Sequence, residues 1–168
     1  MRRIICITGD GKGKTTSAVG TYVRALGTGL KVRFYQFLKS RNENGENLFF
    51  HQTEQKIILL GYEKRKNFDY DINDIEAVKA GFERIKNELA NNFFDLVILD
   101  EVTYPIIWGW VSVDVVIDIL NTNPKTHFIL TGRDMPKQLI DVSDTVSEIK
   151  ELKHAYKNGI KALKGIEF

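Results

Sequence analysis

Short runs of consecutive apolar residues alternate along this chain with segments whose apolar residues recur at helical spacing. The first run, Arg3–Thr8, is uninterrupted, which predicts a strand buried on both faces of its sheet. Similar runs predict five more strands, at Lys31–Phe37, Lys56–Leu60, Asp95–Leu99, Thr126–Leu130 and Val146–Leu152. Strands that alternate with helices through short connections form parallel sheets with right-handed crossovers. The pattern therefore predicts an α/β fold with a mostly parallel sheet flanked by helices.

Amphipathic segments between these runs predict the helices. The clearest apolar stripe consists of Ile75, Val78, Phe82, Ile85 and Leu89. Asn73 and Glu76 resemble a capping box at its start, and Ser112 is expected to cap a later helix. The polar residues 40–46 instead predict a surface loop, which is a candidate lid over the ligand-binding edge.

A glycine-rich segment joins the first predicted strand to the first predicted helix. Its residues are Thr8, Gly9, Asp10, Gly11, Lys12, Gly13, Lys14, Thr15 and Thr16. In such a loop the backbone N–H groups converge on phosphate oxygens at the positive end of a helix. Lys14 adds a mobile cation, and Thr15 stands where the hydroxyl of this motif coordinates Mg²⁺. Thr8 replaces the usual first glycine, which predicts an unusual loop path or nucleotide orientation.

Charged residues follow two of the predicted strands. Asp100 and Glu101 come directly after Asp95–Leu99, where phosphate-loop enzymes place the carboxylates that organise Mg²⁺. A solvated acidic turn is the alternative interpretation. Arg133 emerges at the same edge, where it can grip phosphate or pair with an acid of the loop such as Asp10. Together these features predict a P-loop NTPase of RecA-like architecture that binds MgATP or MgGTP.

The composition narrows the class of protein. With 168 residues, 43% of them hydrophobic and 27% charged, the chain is expected to fold as a single globular domain over residues 1–168. A net charge of +2 gives no case for a nucleic-acid partner. Cys6 has no cysteine to pair with, and no apolar run is long enough to span a membrane. We therefore expect a cytoplasmic protein with no membrane partner.

Other candidate chemistry is sparse. The three histidines, His51, His127 and His154, form no cluster with metal-ligand spacing, and no Asn-Lys-x-Asp signature for guanine is present. Trp108 and Trp110 could stack on a flat cofactor, but such clusters belong more often to a core or a subunit interface.

Six ordered motifs, spread over nearly the whole chain, resemble those of the bacterial ATP:corrinoid adenosyltransferases. They are residues 8–16, Gln36–Lys39, Leu99–Tyr104, Thr131–Arg133, Asp144–Glu148, and the terminal segment from Lys153 to Phe168. Members of that family carry the same threonine at the start of the loop and bind ATP reversed relative to most phosphate-loop proteins. The resemblance implies attack by a Co(I) corrinoid on the 5′-carbon of ATP, with release of tripolyphosphate.

The resemblance also implies roles for individual residues. Gly9 to Lys14 would cradle the phosphates, Thr15 and Glu101 would hold Mg²⁺, and Asp100 would support that shell. Arg133 would contact phosphate or fix the loop.

For the corrinoid, Tyr62 stands where the family has a phenylalanine that displaces the lower cobalt ligand. Lys64 stands where the second aromatic is found, and Phe68 is a candidate substitute. The family further implies a homodimer and a flavodoxin-type reductant.

Two other classes of function share the phosphate loop. A small-molecule kinase or ATPase would release ADP rather than tripolyphosphate. A nucleotide-dependent switch would bind nucleotide tightly with negligible turnover, even with corrinoid and reductant present.

Overall fold

The structure, a computed structural model, describes residues 1–38, 44–53, 55–61 and 71–166. Within these residues the strands are β1 Ile4–Thr8, β2 Val32–Phe37, β3 Ile58–Leu60, β4 Leu96–Asp100, β5 His127–Thr131 and β6 Thr145–Glu148. The helices are α1 Lys14–Gly27, α2 Gly45–His51, α3 Ile72–Asn91, α4 Thr103–Ile107, α5 Val113–Thr122 and α6 Lys137–Asp141. The described strands form one sheet in the order β3-β2-β4-β5-β1-β6, with every neighbouring pair parallel. The predicted α/β fold is confirmed.

Helices cover both faces of the sheet, and each face has its own apolar core. Tyr22 of α1 and Phe50 of α2 pack on one face with their ring centroids 4.7 Å apart. On the other face, Phe82 of α3 stacks on Phe37 of β2, also at 4.7 Å. β4 lies at the centre and is buried along its whole length. Its uninterrupted apolar sequence is therefore explained by helices on both sides.

Two predictions about helices are wrong. The capping box of α3 is formed by Asp71 and Asp74 rather than by Asn73 and Glu76. The Asp71 side chain accepts from the backbone of Asn73 and Asp74, and the Asp74 carboxylate accepts from the Asp71 N–H at 2.7 Å. Asp71 has the extended backbone that a cap requires, whereas Asn73 already lies in the first turn.

The second wrong prediction concerns residues 45 and 46, the end of the loop predicted over residues 40–46. Residues 40–43 lie outside the described part of the chain, but α2 begins at Gly45, within the segment predicted to be a loop. The helix is held by tertiary contacts, because Phe50 and Asn47 are buried at 4% and 8% relative exposure. The short helix α4, Thr103–Ile107, also had no counterpart in the sequence pattern.

Tight turns follow three of the strands at their carboxyl ends. Leu38 after β2, Glu101 after β4 and Asp134 after β5 have φ values of 58°, 62° and 46°. A non-glycine residue in this left-handed region costs about 1–3 kcal/mol, which neighbouring structure must compensate. Ligands of open α/β sheets bind at this edge, so the turns place side chains where a ligand would lie.

Candidate functional site

The glycine loop between β1 and α1 packs against the residues that follow β6. Gly9 and Gly13 have φ values of +96° and +125°, which glycine adopts readily. A Cβ at Gly9 would lie 2.5 Å from the Ile149 carbonyl oxygen. The Gly11 N–H donates to the same carbonyl at 2.7 Å. The loop therefore keeps its path through close backbone packing that a larger residue would disturb.

Lys14, the first residue of α1, folds its side chain back over this loop. Its Nζ donates to the Gly9 carbonyl at 2.6 Å and to the Gly11 carbonyl at 2.9 Å. Burial, followed by the positive charge of Arg133, lowers the pKa of Lys14 below its ordinary value of 10.5. Glu101, Asp10 and Asp100 partly oppose this shift. Phosphate oxygens are better partners for this ammonium group than two neutral carbonyls.

Asp100 ends β4 and is fully buried, with 0% relative exposure. Its Oδ2 accepts from the Thr15 hydroxyl at 3.2 Å and from Gln36 Nε2 at 2.8 Å, and its Oδ1 accepts from the Thr131 hydroxyl at 2.5 Å. Because the donors lie on α1, β2 and β5, the carboxylate is oriented by three separate elements. The structure thus brings Thr15 and Asp100 together, and their role towards Mg²⁺ stays a prediction.

Glu101 follows in the left-handed turn, where its N–H donates to the Thr131 hydroxyl at 3.0 Å. Glu101 and Thr15 line the same cavity. Mg²⁺ prefers oxygen ligands and is usually held by one or two protein groups together with phosphates and water. A threonine hydroxyl and a carboxylate, backed by the oriented Asp100, fit such an ion. No larger group of three or more His, Cys, Asp or Glu residues with metal-site geometry occurs among the described residues.

The loop, Glu101 and helix α2 enclose a cavity of about 670 Å³. Its lining includes every loop residue from Asp10 to Thr16, together with Arg133 and Tyr104. Residues 44–46 and Phe49 form the α2 side. Thr8 is the last residue of β1 and lies behind the loop, where its hydroxyl accepts from the Met135 N–H at 3.4 Å.

The carboxyl-terminal segment crosses the same edge. The Lys12 Nζ donates to the Ile166 carbonyl at 2.6 Å, and His154 and Gly165 also line the cavity. This segment covers part of the loop.

Arg133 was expected either to grip phosphate or to pair with Asp10. The pairing is present, because Arg133 Nε lies 3.8 Å from Asp10 Oδ1. Both side chains are well exposed, so the ion pair itself contributes little stability. Arg133 also lines the cavity, and its contact with phosphate stays a prediction.

The aromatic residues divide into two sets. Tyr62 and Phe68, predicted to bind corrinoid, lie outside the described residues. Trp108 packs against Tyr104 and Trp110, with ring centroids 5.2 and 4.9 Å away. Tyr104 reaches the cavity, and Trp110 packs against the core beneath α3 and α5.

The sequence assigned no role to Gln36 or Asn47, which extend the hydrogen bonds of Asp100 towards α2. Asn47 Nδ2 donates to Gln36 Oε1 at 3.0 Å. The available signal was a single amide among the apolar residues of Val32–Phe37, next to the predicted ligand edge. A buried amide in a central strand requires polar partners.

These features define the class of protein. The parallel sheet, the glycine loop leading into α1 and the acidic end of β4 are those of a P-loop nucleotide-binding domain of RecA-like architecture. No described helix has the length and apolar character needed to cross a membrane.

The particular family follows from comparison with known proteins. The family model described as ATP:corrinoid adenosyltransferase BtuR/CobO/CobP matches residues 1–168, and the chain belongs to this family. It is therefore an enzyme of the transferase class. The chain is similar to the corrinoid adenosyltransferase of Escherichia coli K12, with 37% identity over 98% of this chain and 85% of that one. The corrinoid adenosyltransferase CobA of Salmonella typhimurium is 38% identical over the same shares.

A third relative, the corrinoid adenosyltransferase of Pseudomonas aeruginosa, is 35% identical over 96% of this chain and 81% of that one. Among solved structures, the ORC2 protein of Aeropyrum pernix aligns with a TM-score of 0.47 at 17% identity, over 89% of this chain and 42% of that one. No conclusion rests on so distant a likeness.

Proposed function

We propose that this protein transfers the 5′-deoxyadenosyl group of ATP to the Co(I) centre of a corrinoid and releases tripolyphosphate. The observation that carries the proposal is that the phosphate loop, Thr15 and Glu101 line one cavity, with the buried Asp100 carboxylate bonded to the Thr15 hydroxyl behind them. The cavity volume of about 670 Å³ lies within the range of roughly 300–1,000 Å³ that is usual for small-molecule sites. Membership of the adenosyltransferase family supplies the reaction class.

The bond changes determine what the protein must do. The electron pair of the Co(I) substrate forms a bond to C5′ of ATP, while the C5′–O5′ bond breaks and tripolyphosphate leaves with its electron pair. Cobalt is formally oxidised to Co(III). Because the nucleophile belongs to the substrate, no protein base has to accept a proton. The chain's tasks are to position C5′ and to stabilise the charge on the leaving triphosphate.

Residues around the loop are suited to the second task. The loop from Gly9 to Lys14 would cradle the phosphates, although the Gly11 N–H is engaged by the Ile149 carbonyl. The Lys14 ammonium would exchange its two carbonyl partners for phosphate oxygens. Thr15 and Glu101 would hold Mg²⁺, and Asp100 would orient Thr15 from behind. Bound Mg²⁺ neutralises charge on the triphosphate. Arg133, at the rim of the cavity, would add a further positive charge.

The remaining parts of the proposal concern the corrinoid and its surroundings. Tyr62 and Phe68 would contact the corrinoid and favour loss of the lower cobalt ligand before reduction. The carboxyl-terminal segment over the loop would help to exclude water from the reduced cobalt.

We further propose that residues 1–168 act as a single domain in the cytoplasm, that the protein works as a homodimer, and that a flavodoxin-type protein supplies electrons.

The direct test is anaerobic incubation of the protein with MgATP and chemically reduced cobalamin, followed by visible spectroscopy. Formation of light-sensitive adenosylcobalamin at a rate proportional to enzyme concentration is the expected result. A matched reaction with the non-hydrolysable β,γ-methylene analogue of ATP should also give product, because the bond that breaks is at C5′. Release of ADP without alkylated cobalamin would instead indicate a kinase or ATPase.

A further inference from the structure

Gln36 is a buried amide within an otherwise apolar strand. Its neighbours Tyr35 and Phe37 are fully buried, and Gln36 itself has 0% relative exposure. Parallel pairing of β2 with β4 brings Gln36 directly beside Asp100. Burying an amide is unfavourable unless its polar atoms are hydrogen-bonded. Both ends of this side chain are used, since Nε2 donates to Asp100 and Oε1 accepts from Asn47.

At its first end, Gln36 influences which way Asp100 faces. The 2.8 Å bond from Gln36 and the longer 3.2 Å bond from Thr15 reach the same oxygen, Oδ2. The Thr131 hydroxyl holds the other oxygen from the opposite side. Without the Gln36 donor, the carboxylate could turn about its bond to Thr131 and move Oδ2 away from Thr15. The Thr15 hydroxyl would then lose its hydrogen bond to Asp100.

At its second end, Gln36 is linked to helix α2. Asn47 is 8% exposed and projects from α2, whose neighbouring residues Gly45, Glu46 and Phe49 line the nucleotide cavity. A helix of seven residues has little stability of its own, so its position depends on tertiary contacts. The amide–amide bond to Gln36 is one contact that joins it to the edge of the sheet.

We propose that Gln36 is a positioning residue. It holds the Asp100 carboxylate where it accepts from Thr15, and through Asn47 it links this carboxylate to the position of helix α2. Binding of the magnesium–nucleotide complex and the position of α2 then depend on the same series of hydrogen bonds. The inference rests on the proposed function in so far as it assumes that a magnesium nucleotide occupies the cavity.

The test compares calorimetric titrations with ATP in excess Mg²⁺ and with ATP in excess chelator. Gln36→Leu should weaken MgATP binding about tenfold, as expected for loss of one hydrogen bond to a charged group, and change Mg²⁺-free ATP binding by less than about twofold. Asn47→Leu should weaken MgATP binding about threefold. The double variant should bind MgATP no more weakly than Gln36→Leu, because the first substitution already interrupts the series of hydrogen bonds.

Thr126→Val is the matched control. It removes a buried hydroxyl that donates to the Phe94 carbonyl at 2.8 Å, near the amino ends of β4 and β5 and away from the cavity. It should leave both titrations unchanged. Hydrogen exchange gives a second measurement. MgATP should slow amide exchange in residues 44–53 of the wild-type protein but not in Gln36→Leu.

The inference would be overturned if Gln36→Leu weakened ATP binding equally with and without Mg²⁺. Additive effects of the two substitutions on MgATP binding would also overturn it. If Gln36→Leu does not fold, Asn47→Leu decides alone. A loss of affinity that is confined to MgATP supports the proposed series of hydrogen bonds, and the absence of such a loss refutes it. Failure of the wild-type protein to adenosylate cobalamin would refute the proposed function instead. The binding comparison does not depend on that result.

Discussion

Replacing Gly11 with alanine should loosen the phosphate loop without altering its charges. An added Cβ would lie 2.7 Å from Ile149 Cγ2 and 2.8 Å from the carbonyl oxygens of both Ile149 and Lys150. Two of these contacts are to backbone atoms, so a simple side-chain rotation cannot relieve them. The loop must move away from the end of β6, and the 2.7 Å bond from the Gly11 N–H to Ile149 would lengthen or break.

The magnitude follows from two contributions. Overpacking at a close contact costs about 1–3 kcal/mol. Loss of the backbone hydrogen bond costs about 0.5–1.5 kcal/mol more. We therefore expect Gly11→Ala to lower the free energy of unfolding by about 1.5–4.5 kcal/mol. ATP affinity should fall as well, because displaced N–H groups no longer converge on the phosphates.

Gly20→Ala is the control for this substitution. Gly20 lies within α1, and a Cβ there meets nothing within 4 Å. Alanine should stabilise the helix by about 0.5–1 kcal/mol and leave ATP binding unchanged. Urea denaturation measures the first quantity and calorimetric titration the second. Wild-type stability and ATP affinity in Gly11→Ala would refute the proposed packing of the loop against β6.

Three further predictions concern the chemistry. Lys14→Ala and Glu101→Ala should each reduce adenosylation by roughly 100-fold or more while keeping the wild-type circular dichroism spectrum, and near-normal turnover in either would contradict the assigned roles. Because burial lowers the pKa of Lys14, the triphosphate should raise it again, and nucleotide binding at alkaline pH should take up protons. Calorimetry in buffers of different ionisation enthalpy measures this uptake, which Lys14→Met should abolish. Tyr62→Ala should slow the reaction from Co(II) more than from prepared Co(I); equal losses would remove Tyr62 from ligand displacement.

The parts of the site that could be predicted from sequence are those fixed by local chemistry. Gly13, Lys14 and Thr15 follow a buried strand, and Asp100 ends another, so parallel pairing was enough to predict their meeting at one edge. Thr15 and Asp100 are 85 positions apart in sequence, and the fold class was enough to place both at that edge, whereas their hydrogen bond is seen only in the structure.

The parts that could not be predicted depend on distant partners. Helix α2 carries polar and turn-forming residues at its start, and its helical state is explained by the burial of Asn47 and Phe50. The correct cap of α3 required the backbone geometry of Asp71, because Asp71, Asn73 and Asp74 are all plausible caps by residue type. Gln36 belongs to a motif that was noticed, but its partners Asp100 and Asn47 come from separate elements.

The most direct test of the account is the identity of the bond that breaks in ATP. ATP labelled at its 5′ bridging oxygen can be incubated anaerobically with the protein, Mg²⁺ and chemically reduced cobalamin, and the phosphate products examined by phosphorus NMR and mass spectrometry. The account predicts adenosylcobalamin together with intact tripolyphosphate that carries the label. Appearance of ADP and inorganic phosphate, with the label retained on the adenosine side, would contradict it.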